Sequence, residues 1–457
     1  MTKIYSIQQT DSQDFMIHLP KHSQLDEEIH SVSFGTFIMP CEIVFEDHLQ
    51  DTIFVSQEVA KQLLLPVGGC TTLITHENIL YLGPIIGIFT AGFTESLLRP
   101  IGERSLFFAK FLSIDDSLGI HSYVFGAHHI NWEEGTIEGY TYGKSGWKKE
   151  LFPFPNVVYD RLPNRRIENH NALKLVKKRL TEEYSIPWYN PGFFNKWSIH
   201  QLLVHDHDAS LYLPETIHTP TISQMEEMLA KYQSIYLKPA NGSLGLGVYH
   251  LMYSRDDNMY YSRYRDEHEI NRLRKYPSLE SFLKACFKDR RLSSYLAQQG
   301  IKLARIDGKP IDFRIHTNKD EHDEWKVTAL AAKVAGRGSV TTHLNNGGVV
   351  KSLEEIYDDP QERVKALHHL TEAAIKLSER IDQQITGFIG EIGFDLGIDI
   401  DGRIWMFEAN SKPGRSIFSH PELKDADLLT RKASLQYGLY LSKKAILQPE
   451  ELVNGDL

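Results

Sequence analysis

One stretch near the C-terminus, Gly390–Arg415 (GEIGFDLGIDIDGRIWMFEANSKPGR), leaves few ways to fold. Two apolar runs, Gly393–Ile400 and Arg403–Asn410, flank Asp401-Gly402, a dipeptide suited to a tight hairpin turn. Residues two apart on a strand share a face, so Glu408 and Asn410 point the same way, and the turn brings Asp395 across from them. A surface hairpin with incidental acids fits poorly. Trp405, Met406 and Phe407 surround Glu408 with apolar bulk, and a buried carboxylate without a partner is costly. Hard oxygen donors on adjacent strands suit Mg²⁺, or Mn²⁺ in its place, because such ions take one or two carboxylates together with substrate phosphates. Asp395, Glu408 and Asn410 are therefore the candidate metal ligands, while Asp399 and Asp401 read as turn residues. A metal there would clamp β- and γ-phosphates and neutralise the charge that develops during transfer.

A second feature lies upstream, Ser234–Tyr249 (SIYLKPANGSLGLGVY). An apolar strand ends at Lys238-Pro239, a loop holds Gly242, Ser243, Gly245 and Gly247, and strand-forming residues resume at Val248-Tyr249. Glycines let backbone N–H groups approach phosphate oxygens, although a plain hairpin turn would carry them too. No Lys follows the glycines as a P-loop requires. The spacing is GxxGxG rather than GxGxxG, and a strand rather than a helix follows. The strand lysine precedes the loop, whereas protein kinases place it after. What remains is a hairpin flap beside a strand lysine, able to close over a triphosphate.

Length then sets the scale: 457 residues predict about three domains. A β-rich module is expected to about residue 83, with strands in Ser33–Phe45, Thr52–Ser56 and Thr71–Leu82 and a helix at Gln57–Leu65. An α/β layer follows over 84–215, from the buried strand Ile85–Phe89 through a helix at Leu106–Ser113 and strands at Ser122–Gly126 and Asn156–Asp160. Gly135–Gly146 reads as a hairpin, and Leu173–Tyr184 and Lys196–Asp206 as amphipathic helices. Beyond 215, Ser223 with Glu226 gives a capping box for a helix to Tyr232. The mixed charges of 255–291 read as a solvated helical face.

A formal charge of −10 offers no global field for nucleic acid or anionic lipid. Three scattered cysteines suggest a reduced, cytoplasmic setting. The N-terminus lacks the apolar region of a secretory signal, and the most apolar stretch, Ile79–Phe89, is too short to span a membrane. The His pairs 128/129, 205/207 and 368/369 have no Cys or carboxylate at metal-site spacing and read as surface or hydrogen-bonding residues.

The lysine, the flap and the Asp…Glu-x-Asn hairpin together resemble the ATP-grasp superfamily over roughly 170–445, with FEANSKPG (Phe407–Gly414) similar to its E-x-N-x-x-P-G element. At finer grain LGPIIGI (Leu82–Ile88), FPFPNVVYDRLPNR (Phe152–Arg165), YLKPANGSLGLGVY and Gly390–Arg415 resemble the YheC/YheD family of endospore coat-associated proteins. The resemblance implies an α/β and α+β multidomain chain: an ATP-grasp fold over 216–457, preceded by a pre-ATP-grasp-like α/β layer and the small β-rich module.

It also implies roles. Lys196 and Lys238 resemble the nucleotide-contacting lysines, and Gln298 and Gln299 occupy the segment that contacts adenine and ribose, where Glu is frequent. Asp312 and Arg314 resemble a D-x-R element, Lys333 a basic position facing the transferring phosphate, and Ser339–Gly348 a loop in which His343 replaces the usual Asn. Apart from the resemblance, Arg415 is the expected substrate-carboxylate anchor from its place just past the metal strand, with Tyr159–Arg166 where the α/β layer meets the ATP-binding lobes. The implied function is an ATP- and Mg²⁺-dependent carboxylate–amine ligase acting through an acylphosphate and linked to the endospore coat. Its partners would be ATP, an unidentified carboxylate and nucleophile, and spore coat proteins, and its setting the cytoplasm, forespore or coat. The alternative is a coat-associated scaffold that binds ATP without turnover, or binds none.

Overall fold

The computed structural model describes residues 3–23, 25, 28–242, 246–287, 292–342 and 346–454, and among these residues the strands form four sheets. The first is a mixed eight-stranded sheet between Ile4 and Gly83. It includes two strands absent from the expectation, Ile4–Thr10 and Met16–Pro20, which bury Tyr5, Ile7, Ile17 and Leu19 in alternation. Ser56 caps the helix Gln57–Gln62 through its hydroxyl.

The second sheet has a parallel centre: His121–Phe125, Ile85–Phe89, Val157–Asp160 and Trp188–Tyr189 run side by side. Every residue of Ile85–Phe89 is buried, as a strand covered on both faces requires. Ile85 and Phe89 join a core shared with the first sheet. Ile86 and Ile88 face the helices Ser105–Leu112 and Lys424–Leu447. The glycine-rich hairpin runs longer than expected, with strands Thr136–Gly143 and Gly146–Pro153.

The third sheet is antiparallel, in the order Thr216–His218, Tyr295–Gln299, Ser234–Pro239, Tyr249–Ser254, Met259–Arg265, Asn271–Tyr276. Its last two strands correct the helical reading of 255–291, where among the described residues only Leu279–Cys286 is an α-helix. Alternation decides it: Ser262 and Tyr264 turn to one, buried face while Arg263 and Arg265 turn to the other, and Tyr264 and Tyr276 pack in one core with Phe282. The next correction is a cap. Thr221, not Ser223, starts the helix Ile222–Tyr232, with Gln224 completing the box. Both T-x-x-Q and S-x-x-E fit the pattern, and the earlier frame brings Ile222 onto the core beside Met225 and Leu229.

The fourth sheet is also antiparallel: Val349–Lys351, Trp325–Val334, Lys309–Lys319, Glu391–Ile398, Ile404–Asn410. Ile311, Phe313, Ile315, Ile392, Phe394 and Leu396 pack on one face against Leu370, Ala374 and Leu377 of the long helix Pro360–Gln384 and Leu203 of the helix Lys196–Val204. Its other face carries the chemistry. The hairpin turn works as the sequence suggests: Asp399 accepts from the backbone N–H of Asp401 and Arg403, and Gly402 takes φ +83°. The helix Lys424–Leu447 is wedged between the second and fourth sheets, and Ser434 bonds to both Tyr189 and Asn318. Among the described residues no helix is long and apolar enough to cross a membrane.

Candidate active site

Asp395 and Glu408 are cross-strand partners on the polar face of the fourth sheet, with Asn410 and Gly393 the next pair on that face. The register slips just beyond Asp395, so Leu396 pairs with Met406 and Phe407 is the extra residue. This bulge lets Phe407 and Glu408 both line one cavity of about 830 Å³. The cavity lies between the third and fourth sheets, within the size range of small-molecule sites. Tyr236, Lys238, His250, Arg263 and Gln298 line it from one side; Asp312, Lys333, Asp395, Phe407 and Glu408 from the other.

Its charges are interlocked. Lys333 Nζ lies 2.8 Å from Asp395 and 3.1 Å from Asp312, and Arg314 Nε is 3.2 Å from Asp395. Burial opposes the charge on Lys333, but Asp312 and Asp395 outweigh it and hold its pKa above the ordinary value. Burial pushes the Asp312 carboxyl upward, with Lys333 acting against it. Thr342 donates to the other Asp312 oxygen. Lys196, in the first turn of a helix capped by Asn195, donates to Glu408 at 2.9 Å and to the carbonyl of Gly242 at 2.7 Å. It thus ties the carboxylate pair to the flap.

Lys238 closes the strand Ser234–Pro239 and donates to Gln298 at 2.5 Å, 5.5 Å above the Phe407 ring. Burial pushes its pKa down to about 8, against the pull of Glu408. Gln298 is further held by Thr216, whereas Gln299 also borders the cavity but accepts from the Glu215 N–H. Gly242 and Gly247 (φ +71°) flank the flap tip, while Ser243, Gly245 and His343 fall outside the described residues.

The donors Asp395, Glu408 and Asn410 are hard oxygens on one face, and both carboxylates are already held by ammonium or guanidinium groups. Paired carboxylates on adjacent strands, with an amide oxygen beside them, fit a divalent ion of the Mg²⁺ type.

Arg415 behaves differently. It does not line the cavity but grips Asp427 through Nη2 at 2.7 Å, with Nη1 3.8 Å from Glu391. Sequence reasoning missed Glu391, His316 and Asp427. Glu391 accepts from Tyr159 at 2.7 Å and Arg161 at 2.8 Å, so the Tyr159–Arg166 segment does meet the fourth sheet. Asp160, beside them, pairs with Lys412 at 2.6 Å. No local pattern could have shown these bonds, since Arg161 and Glu391 are 230 residues apart.

Two antiparallel sheets closing on a lysine- and carboxylate-lined cavity, one of them carrying a glycine flap, define an ATP-grasp protein. The model for YheC/D-like ATP-grasp matches residues 185–441, and the chain belongs to that family. It is 48% identical over 436 residues to the endospore coat-associated protein YheD of Bacillus subtilis, covering 95% of this chain and 96% of that one. The endospore coat-associated protein YheC of the same organism is 24% identical over 281 residues, covering 60% of this chain and 75% of YheC. Among solved structures, the VanG D-Ala:D-Ser ligase from Enterococcus faecalis aligns with TM-score 0.46 and 12% identity over 78% of this chain and 99% of that one.

Proposed function

We propose that this chain is an ATP- and Mg²⁺-dependent ligase joining a carboxylate to an amine or related nucleophile through an acylphosphate. The observation that supports it is the charge array on one sheet face: Asp395 beside Glu408, Lys333 and Arg314 on Asp395, and Lys196 bridging Glu408 to the flap. Lys196 and Lys238 hold the triphosphate under the flap of Gly242, Ser243, Gly245 and Gly247, and Gln298 and Gln299 lie toward the nucleoside. A carboxylate oxygen of the substrate attacks the γ-phosphorus and the bond to ADP breaks, ADP leaving with the electron pair. Lys333 and Arg314 neutralise the charge on the transferring group. The amine nitrogen then attacks the acyl carbon, the bond to phosphate breaks, and inorganic phosphate leaves as the amine loses its proton. Mg²⁺, or Mn²⁺, held by Asp395, Glu408 and Asn410 would supply charge neutralisation at the β- and γ-phosphates.

In this reading residues 216–457 form the catalytic lobes, 84–215 the α/β layer that shapes the acceptor side with Arg415, and 1–83 an accessory module. The names of the Bacillus subtilis relatives support a place at the endospore coat, with coat proteins as partners. The test is thermal shift with Mg-ATP on the wild type and on Asp395→Asn/Glu408→Gln. Ligand at 100 times its Kd stabilises by about 2.7 kcal/mol; no shift in the wild type rejects the proposal. ADP release, screened over metabolite fractions, separates ligase from scaffold, because a scaffold yields no ADP with any fraction.

A further inference from the structure

Beyond the cavity, the polar face of the fourth sheet continues inward. Arg314 pairs with Asp395 across the strands, and the next pair on that face is His316 with Gly393. One strand repeat separates the two levels, about 7 Å. At the inner level Phe418 packs on both His316 and Arg415, Glu391 lies between Arg415 and Arg161, and Asp427 links Arg415 to Arg431. Arg161, Arg431 and Lys333 are buried and Arg314 and Arg415 partly so, and these five cations face four carboxylates, Glu391, Asp427, Asp395 and Asp312. The excess is positive, and part of its N–H complement makes no hydrogen bond. Arg314 Nη1, Arg415 Nη1, Arg161 Nε, Arg431 Nε and both ring nitrogens of His316 are buried without a hydrogen-bond partner, as is Glu391 Oε1. His316 is fully buried, and burial first, then the three arginines around it, keep its imidazole neutral.

Unpaired guanidinium N–H groups inside a protein are costly, and several of them converging on a neutral histidine make a site for an anion. The surroundings suit a small one. Phe418 stacks on Arg415 at 4.5 Å, Phe107 on Arg161 at 5.1 Å, and half-exposed Lys110 reaches Asp427 at 3.6 Å from the helix Ser105–Leu112. Arg415 and Arg314 keep 10% and 13% of their side-chain surface exposed, so the cluster is not sealed from solvent.

We propose that Arg314, His316 and Arg415 form an anion subsite that binds a non-reacting carboxylate or phosphate of the acceptor molecule. This rests on the ligase reading and narrows it: the substrate is small and carries an anionic group about one strand repeat from its reacting atom.

The experiment uses the full chain saturated with Mg²⁺ and the non-hydrolysable analogue AMP-PNP. Sodium acetate or sodium phosphate is titrated against sodium chloride at equal ionic strength, with melting temperature and calorimetry as readouts. The wild type should bind one of the two anions, acetate assigning a carboxylate and phosphate a phosphoryl group. Arg415→Gln should weaken that binding at least tenfold. Because this change also breaks the pair with Asp427, His316→Leu is the second variant. It removes polar atoms that make no bond, so a merely structural histidine would leave anion affinity unchanged. Failure of both anions to bind the wild type, or equal affinity in the wild type and His316→Leu, overturns the subsite. Loss of the nucleotide shift with anion binding intact would instead reject the ligase reading and leave the subsite standing.

Discussion

The third and fourth sheets close on the same cavity, yet they are held in place by different forces. The fourth is anchored on both sides. Its apolar face packs on the helix Pro360–Gln384, and its polar face is tied by ion pairs and by the helix Lys424–Leu447 to the second sheet. The third has a separate core of Met225, Leu237, Tyr249 and Phe282. Single polar bonds reach it from the rest of the chain, such as Lys196 to the Gly242 carbonyl, Arg165 to the Asn241 carbonyl, and Arg265 to Asn346. One sheet is a platform that fixes charges; the other is a clamp that brings cations to it. Stability and ligand affinity should therefore respond to different substitutions.

The largest expected effect is on the platform. Asp395→Asn leaves Lys333 and Arg314 buried beside a neutral side chain. Breaking one partner of such a cluster costs about 3–5 kcal/mol, readable as a lower urea midpoint at unchanged m-value, and ADP release should be lost with it. A cost near zero would break the contrast, for it would mean that the fourth sheet's charges are no better fixed than surface pairs.

Lys238→Met probes the clamp. A charge-assisted hydrogen bond is worth about 1.5–3 kcal/mol, so Mg-ATP affinity should fall roughly ten- to hundredfold. Folding stability should hold within about 1 kcal/mol, since a buried lysine with a depressed pKa contributes little to it. Calorimetry and urea unfolding on the same sample test both halves. A large loss of stability with ATP affinity preserved would reverse the roles of the two sheets.

How much of this contrast the sequence exposes depends on range. The hairpin from Gly393 to Asn410 was legible because its alternation, its Asp401-Gly402 turn and its carboxylate spacing lie within twenty residues. The lysine strand and its pairing with the strand that resumes at Tyr249 were legible for the same reason. The anchoring of the platform was not: Tyr159, Arg161, Glu391, Arg415 and Asp427 meet only after the second and fourth sheets and the helix Lys424–Leu447 have assembled, and singly each looks like an ordinary charged or aromatic residue. The clamp was misread where charge hid alternation. In Met259–Arg265 the arginines sit on the face opposite the buried Ser262 and Tyr264, so a strand resembled a solvated helix. Arg415, expected from the sequence as a substrate-carboxylate anchor, is held by Asp427 and Glu391 away from the cavity wall.

The pH dependence of binding separates the sheets more finely. The Lys238 pKa of about 8 means that its ammonium form dominates at pH 7 and is lost as pH rises through that value. A triphosphate selects the charged form, so Mg-ATP affinity should be flat below pH 8 and then weaken by up to about tenfold per pH unit. Binding above pH 8 should take up a proton, detectable in buffers of different ionisation enthalpy. Lys238→Arg should flatten the profile, because guanidinium stays charged across the range. Lys333, held above the ordinary lysine value by Asp312 and Asp395, contributes no titration there.

The smallest effect tests how independent the clamp is. Thr221 accepts from the Gln224 N–H and Gln224 returns a bond to Thr221, so Thr221→Ala removes a reciprocal cap and should cost about 1 kcal/mol. Ser223 spends its hydroxyl on exposed Glu227, and Ser223→Ala should be close to neutral. Hydrogen exchange locates the loss better than a melting curve does. If the third sheet opens as its own unit, Thr221→Ala should speed exchange in the helix Ile222–Tyr232 and the strands it covers, Ser234–Pro239 and Tyr249–Ser254, and leave Glu391–Ile398 protected. Equal acceleration in both sheets would mean that platform and clamp unfold together, and the affinity changes at Lys238 would then have to be read as changes in the whole molecule.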